Sequence, residues 1–370
     1  MSDIVTETDR RFLAAAIRLG AGANGETWPN PAVGAIVVKD GRVVGRGRTA
    51  SGGRPHAETI ALREAGERAA GGTLYVSLEP CAHHGRTPPC ADAVIAAGIA
   101  RVVACASDPD PRVSGRGFAR MRDAGISVSA DVLRAAAERA HAGHISRTTR
   151  NRPHVVLKLA VSADDAIGRA GETRVAVTGE IARRHVHALR ARVDAILVGS
   201  GTVTADDPEL TCRLPGLEHR SPVRIVLDTD GRLGRDWTVF AAKSRVPSWR
   251  IVAGPDGSAT GEASEEGLLR TLHVRRGEGG VDLSDALRRL AEAGIGRLMV
   301  EGGAAVARSF LLGDLVDEVL LFRSPVALGD GAVPALAGLP LSAVESSPAF
   351  VRKERRMFGP DRLTRYERRR

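Results

Sequence analysis

Two short runs, "HAETIAL" at 56–62 and "LEPCAHHGRTPPC" at 78–90, decide how the first half of this chain is read. Between them they hold three of the ten histidines and two of the four cysteines. Disulfide loop, ordinary polar loop and metal site are the three possibilities. Four cysteines in 370 residues make no disulfide framework. The first residues, "MSDIVTETDRRF", are acidic and polar, unlike a secretory signal. A reducing, cytoplasmic compartment is therefore expected, which moves Cys81 and Cys90 toward metal binding or catalysis.

The surrounding pattern alternates helix and strand. "DRRFLAAAIRLGAG" reads as a helix capped by Asp9, and "AVGAIVVKDGRVVGRGRT" as a hairpin turning at "KDG". Helix, strand, helix, strand, helix and strand follow, closed by a helix over 132–150. The first domain is thus α/β with a mixed sheet. On this map His56 and Glu58 open a helix, Cys81 follows a buried strand, and Cys90 opens the next helix. Imidazole and two thiolates suit zinc. Helix starts favour the thiolate form. Three protein ligands leave a fourth position for water, with Glu58 placed to move its proton. Two blander readings stay open. The cysteines could be buried and inert, or the zinc structural and closed by His83 or His84.

The polar run "RTTRNRPH" at 147–154 is the linker candidate, giving domains 1–147 and 153–370. The second domain is again α/β. "LVGSGTVTADDP" places Gly199 and Gly201 after a strand, without the GxGxxG fingerprint. "LMVEGGAAVARSF" is the better phosphate cradle, with Gly302 and Gly303 between strand and helix. A tight strand-to-helix turn explains either run equally well.

Composition narrows the partners. Net charge is +9, which suits an anionic partner or a solvated arginine-rich surface. Aromatics are 3%, too few for base-stacking platforms, so nucleic acid is not expected. No apolar run is long enough to span a membrane; "AVIAAGIA" stops at Arg101. Basic residues cluster only in "VRKERR" at 351–356 and "YERRR" at 366–370, the latter read as a frayed tail.

The H-x-E and P-C signature resembles the cytidine and nucleotide deaminases. The eight residues "AHHGRTPP" between Cys81 and Cys90 replace the usual two. With "WPNPAVGAIVVKDGRVVGRG" and "DPDPRVSGRGFARMRDAGISV", this insert is similar to one branch, the bifunctional riboflavin-biosynthesis deaminase/reductases. That resemblance implies a cytidine-deaminase-like fold and zinc on His56, Cys81 and Cys90. It also implies hydrolytic deamination of a diaminohydroxyphosphoribosylaminopyrimidine. Glu58 would shuttle the proton and Asn30 bond the pyrimidine edge, though Asn30 also reads as a turn residue. His83, His84 and Arg86 would lie over the pocket.

In the second half, "LKLAVSADDAIG", "GET", "LRARVDAILVGSGTVTADDPELTCR", "PVRIVLD", "VEGG" and "LFRSPVALG" resemble the same family's reductase. The resemblance implies a dihydrofolate-reductase-like fold and NADPH. Lys158, Thr202, Asp206, Gly302 and Gly303 fall on the cofactor side. Thr173, Arg190, Leu210, Arg213 and Glu301 fall on the substrate side. The implied reaction reduces the ribosyl side chain to ribityl. The family commonly self-associates, so a homo-oligomer is expected. Two departures stand out: Asp165 where glycine is usual, and "RVAVTG" after "GET" where tryptophan is common. They leave room for a second domain that does no chemistry. The basic charge leaves room for a nucleic-acid base deaminase, and the donor set alone for a zinc-stabilised binding module.

Overall fold

The computed structural model describes residues 4–85, 87–172, 175–241, 245–254 and 264–369. The chain divides into two compact units between Asn151 and Arg152.

In the first unit the elements run α1 (Glu7–Ala21), β1 (Gly34–Lys39), β2 (Arg42–Arg48), α2 (Ala57–Ala65), β3 (Thr73–Val76) and α3 (Cys90–Ala96). They continue with β4 (Arg101–Ala104), α4 (Arg116–Asp123), β5 (Ser127–Ser129), α5 (Arg134–Ala140) and α6 (Ala142–Arg150). Sheet order is β2-β1-β3-β4-β5. The β1/β2 hairpin and β3 pair antiparallel, and β3, β4 and β5 run parallel, so the sheet is mixed as its sequence suggests. Asp40 and Gly41, at φ 50° and 72°, make the hairpin turn.

Three readings need correction here. Asp9 does not cap α1; Thr6 does, and Asp9 returns the bond from the third helical position as a capping box. Asp9 is then free to receive Arg101 at 2.8 Å and the Tyr75 hydroxyl at 2.7 Å. The single helix expected over 132–150 breaks at His141, whose ring is buried against Ser77. Residues 147–150 of the linker candidate belong to α6, because Ser146 and Gly143 keep that helix packed.

Glycine sets the closeness of α2 to the sheet. A Cβ on Gly45 would lie 2.1 Å from the Ala61 carbonyl oxygen, and one on Gly47 2.2 Å from that of Ala57. Ala57, Ala61 and Ala65 of α2 are buried opposite. Helix backbone therefore rests on strand backbone with no side-chain layer between.

The second unit contains β6 (His154–Val161), β7 (Ala166–Arg169), α7 (Glu180–Arg190), β8 (Ala195–Gly199), α8 (Ser200–Asp206), β9 (Val223–Leu227) and β10 (Ser248–Ala253). It goes on through β11 (Ser264–Glu266), β12 (Leu269–Val274), β13 (Arg276–Gly277), β14 (Gly280–Val281), α9 (Leu283–Glu292), β15 (Arg297–Val300) and α10 (Ala304–Leu312). The last elements are β16 (Glu318–Arg323), β17 (Ala332–Pro334), α11 (Ser342–Glu345), β18 (Phe350–Phe358) and β19 (Asp361–Arg368). Its main sheet has ten strands in the order β11-β12-β10-β9-β8-β15-β6-β16-β19-β18. From β12 to β16 neighbours run parallel, with crossover helices. At the far side β19 and β18 reverse direction.

The basic C-terminus is not a frayed tail. Tyr366 to Arg368 belong to β19, and the Arg368 amide donates to the Asp317 carbonyl at 2.9 Å. Leu363, Thr364 and Tyr366 are buried, so alternation along "DRLTRYER" carries the strand despite its charge.

Candidate functional site

Three donor atoms meet in the first unit. His56 caps α2 at its N-terminus, Cys81 lies beyond β3, and Cys90 opens α3. Their ligand atoms all lie within 4.8 Å of one another. His56 Nδ1 is 3.2 Å from Cys90 Sγ and 3.8 Å from Cys81 Sγ. Donors about 2.0–2.3 Å from one tetrahedral centre are separated by roughly 3.5–3.8 Å, so this set fits zinc. All four cysteines are free, which removes the disulfide reading.

The electrostatics agree. Cys81 is drawn down to about 4, first by the Cys90 thiol and then by His56 and the Cys90 amide, 3.3 Å away. The Cys90 thiol is pushed far up by the sulfur it faces, so the pair holds one proton that a dication would displace. Hydrogen bonding to Cys81 raises the His56 imidazole against the effect of burial. Glu58, in the first turn of α2 and 3% exposed, is pushed up to about 7 by burial. It stands beside the donors without belonging to the cluster.

Around this cluster, Asn30 Nδ2 donates to the Gly53 carbonyl at 3.0 Å, which ties it to the loop leading into His56. His83 is half-buried and His84 exposed; Arg86 lies outside the described residues. The sequence reading missed Glu79. Its buried carboxylate accepts the amides of Asp108, Gly115, Gly117 and Phe118 at 3.0–3.3 Å, fixing the segment just before Cys81. Burial raises its pKa, and the four donors work against that rise. The available signal was an acidic residue directly following a buried strand, in "LEPC".

In the second unit the register of β15 on β6 pairs Val300 with Leu157, bringing Glu301 beside Lys158. Lys158 Nζ is 3.5 Å from Glu301. Arg190, on the last turn of α7, donates to both Glu301 oxygens at 2.9 and 3.1 Å and to the Thr211 carbonyl at 3.1 Å. Burial opposes ionisation of Glu301, but Arg190 and then Lys158 outweigh it and pull the carboxyl down to about 2. One carboxylate thus joins Lys158 to Arg190 at the carboxyl ends of the parallel strands, where such sheets bind ligands.

Thr202 lies on α8, the helix that follows β8, and its Oγ1 accepts the Gly303 amide at 3.0 Å. A Cβ on Gly302 would lie 2.7 Å from Val306, so the "EGG" turn packs against its own helix. Asp206 ends α8, half-buried. Leu210 is buried in the core at φ 56°, turning the chain so that Thr211 faces Arg190. Arg213 is exposed and paired with Glu209 at 2.8 Å. Thr173 lies outside the described residues. The Asp165 departure has a local explanation. Its φ is 62°, where glycine is easiest and aspartate tolerated, and its carboxylate pairs with Arg323.

Residues 6–106 match the family model for the cytidine and deoxycytidylate deaminase zinc-binding region. Residues 153–361 match that for the RibD C-terminal domain. The chain is 40% identical to riboflavin biosynthesis protein RibD of Escherichia coli (strain K12), covering 95% of this chain and 97% of that protein. It is 37% identical to RibD of Aquifex aeolicus (strain VF5), covering 97% and 98%. Among solved structures it is similar to the diaminohydroxyphosphoribosylaminopyrimidine deaminase/5-amino-6-(5-phosphoribosylamino)uracil reductase of Thermotoga maritima. There the TM-score is 0.84 at 34% identity, over 98% of this chain and 99% of that one. Acinetobacter baumannii RibD, form 1, gives 0.85 at 31% identity, over 98% and 99%. With a zinc-type donor set in one unit, a half-buried Lys-Glu-Arg array in the other, and both halves matched in order, the chain belongs to the RibD family of bifunctional riboflavin-biosynthesis deaminase/reductases.

Proposed function

We propose that the first unit deaminates a diaminohydroxyphosphoribosylaminopyrimidine and that the second reduces the ribosyl side chain of the product to ribityl. The observation that carries the first step is the His56, Cys81, Cys90 cluster with Glu58 buried beside it. Zinc held by those three residues supplies an activated water. Glu58, buried in the first turn of α2 beside the donors, is placed both to take a proton and to return it to the departing amine. Asn30 orients the pyrimidine edge. Glu79 keeps the Cys81 segment in place, so the donor set is formed in advance.

For the second step, NADPH supplies the hydride. Thr202, Asp206, Gly302 and Gly303 form its side of the site. The Thr202–Gly303 bond, which joins α8 to the "EGG" turn, supports that grouping. Lys158, expected on the cofactor side, stands 3.5 Å from Glu301, which supports placing it with Glu301 and Arg190 where that side meets the reacting end. Glu301 stays anionic and holds both cations in place, and Lys158 is the group able to give a proton as the sugar ring opens. Thr173, Leu210 and Arg213 complete the substrate side, and the units on either side of the Asn151–Arg152 division carry the two steps. A cytoplasmic location and self-association fit the free cysteines and the family. No described helix is long and apolar enough to cross a membrane.

The experiment is to give purified protein the diaminopyrimidine nucleotide with and without NADPH, following ammonia release and cofactor absorbance separately. Ammonia in both arms and cofactor loss only after deamination are expected. No ammonia in either arm refutes the first step, and unchanged cofactor absorbance with the deaminated compound refutes the second.

A further inference from the structure

The loop leading into His56 and the insert between the two cysteines meet at one arginine that the sequence reading did not single out. Arg54 precedes His56 by two residues. Its Nη1 donates to Thr87 Oγ1 of the insert at 2.5 Å, so the guanidinium reaches across from one segment to the other. His83 is close by. A Cβ on Gly85 would lie 3.4 Å from Arg54 Nη2 and 3.9 Å from His83 Nε2. Many arginines of this chain face carboxylates, as Arg101, Arg152 and Arg190 do. Among the described residues no carboxylate pairs with Arg54. His83 Nδ1 is buried with no hydrogen-bond partner among them. A guanidinium with no carboxylate partner and a buried imidazole nitrogen with no hydrogen-bond partner therefore stand together in the segments that carry His56 and Cys81.

The same loop reaches Asn30 on its other side. Gly53, at φ 83°, gives its carbonyl to Asn30 Nδ2, and a Cβ there would lie 2.3 Å from that nitrogen. Asn30 and Arg54 are thus set on either side of one glycine, an amide for a ring edge and a fork of donors for an anion. A guanidinium matches two phosphate oxygens at once, and an imidazole can add a third donor.

We propose that Arg54, with His83 beside it, binds the phosphate of the phosphoribosyl pyrimidine at the deaminase site while Asn30 takes the base. This rests on the deamination reading above and adds to it a specificity-determining residue. The test uses full-length zinc-loaded protein and compares ammonia release from the nucleotide and from its dephosphorylated nucleoside, for wild type, Arg54→Gln and Arg54→Lys. In Arg54→Gln the preference for nucleotide over nucleoside in kcat/KM falls by about tenfold to a hundredfold, through KM. Arg54→Lys recovers part of that preference, and zinc content is the same in all three. If Arg54→Gln loses equally on both substrates, Arg54 is only a strut to the insert and the proposal is overturned. An unchanged preference overturns it as well. Wild type that releases no ammonia overturns the deamination reading and this proposal together, whereas working wild type with an unmoved variant overturns Arg54 alone.

Discussion

Glu58 is a carboxyl out of reach of bulk water, 3% exposed and beside three metal-type donors. Glu58→Gln keeps its shape and removes its basicity. Zinc content should stay at the wild-type level while ammonia release falls by about 10²- to 10⁴-fold, measured by metal analysis and a coupled ammonia assay. Glu301 invites the opposite kind of test, because it is structural as well as reactive. Its folded pKa, about 2, lies below its ordinary value of 4.5. The stability it adds is therefore complete above the ordinary value and is lost as pH falls toward about 2. Acid titration of the second unit followed by circular dichroism should show this loss. In Glu301→Gln, Arg190 and Lys158 are left half-buried without their counter-charge. A loss of about 3–5 kcal/mol at neutral pH is expected, measured by urea unfolding, and the acid-dependent part should shrink. At this scale the sequence was most legible where chemistry is local. His56, Glu58, Cys81 and Cys90 announce themselves by type and spacing. Glu79 and Arg54 do not, because their partners lie 29 to 39 residues away for Glu79 and 33 for Arg54. Only folding brings those together.

Among elements, periodicity revealed most helices and buried strands, and it failed where charge masked it. β18 and β19 are rich in arginine, yet β19 lies inside the sheet against β16, burying Leu363 and Tyr366. Ending the chain at Gly359 would remove β19 and uncover Leu320, Leu321 and Phe322 of β16. The prediction is an insoluble second unit, checked by fractionating the expressed protein. The boundary between β8 and α8 is hidden for a related reason. The run "DAILVGSGTV" is apolar on both sides of the point where β8 gives way to α8, so hydrophobicity could not mark the boundary. Glu79 acts between elements, holding four amides of the segment over 108–118. Glu79→Gln presents an amide nitrogen to those donors. Zinc affinity should fall by about 10–100-fold, measured by competition with a chelating dye, with the second unit's reductase rate unaffected.

For the molecule as a whole, two units with separate cores imply two separable stabilities. Chelation should lower the unfolding temperature of the first unit and leave that of the second, giving two calorimetric transitions of which one moves. The order of the units and the class of each were legible in the sequence. What was not legible is how tightly the first is built around its helix α2, because that depends on glycines whose importance is the absence of an atom. With Gly45 and Gly47 bringing strand and helix backbones into contact, α2 has nothing to slide on. The ends that carry His56 and Glu58 are in effect part of the sheet. The donors at that end of α2 therefore rest on a base whose position is set by backbone against backbone. An extra methyl at Gly47 would push α2 off the sheet, whereas one at Gly85, which is exposed, would meet Arg54 Nη2 and His83 no closer than 3.4 Å.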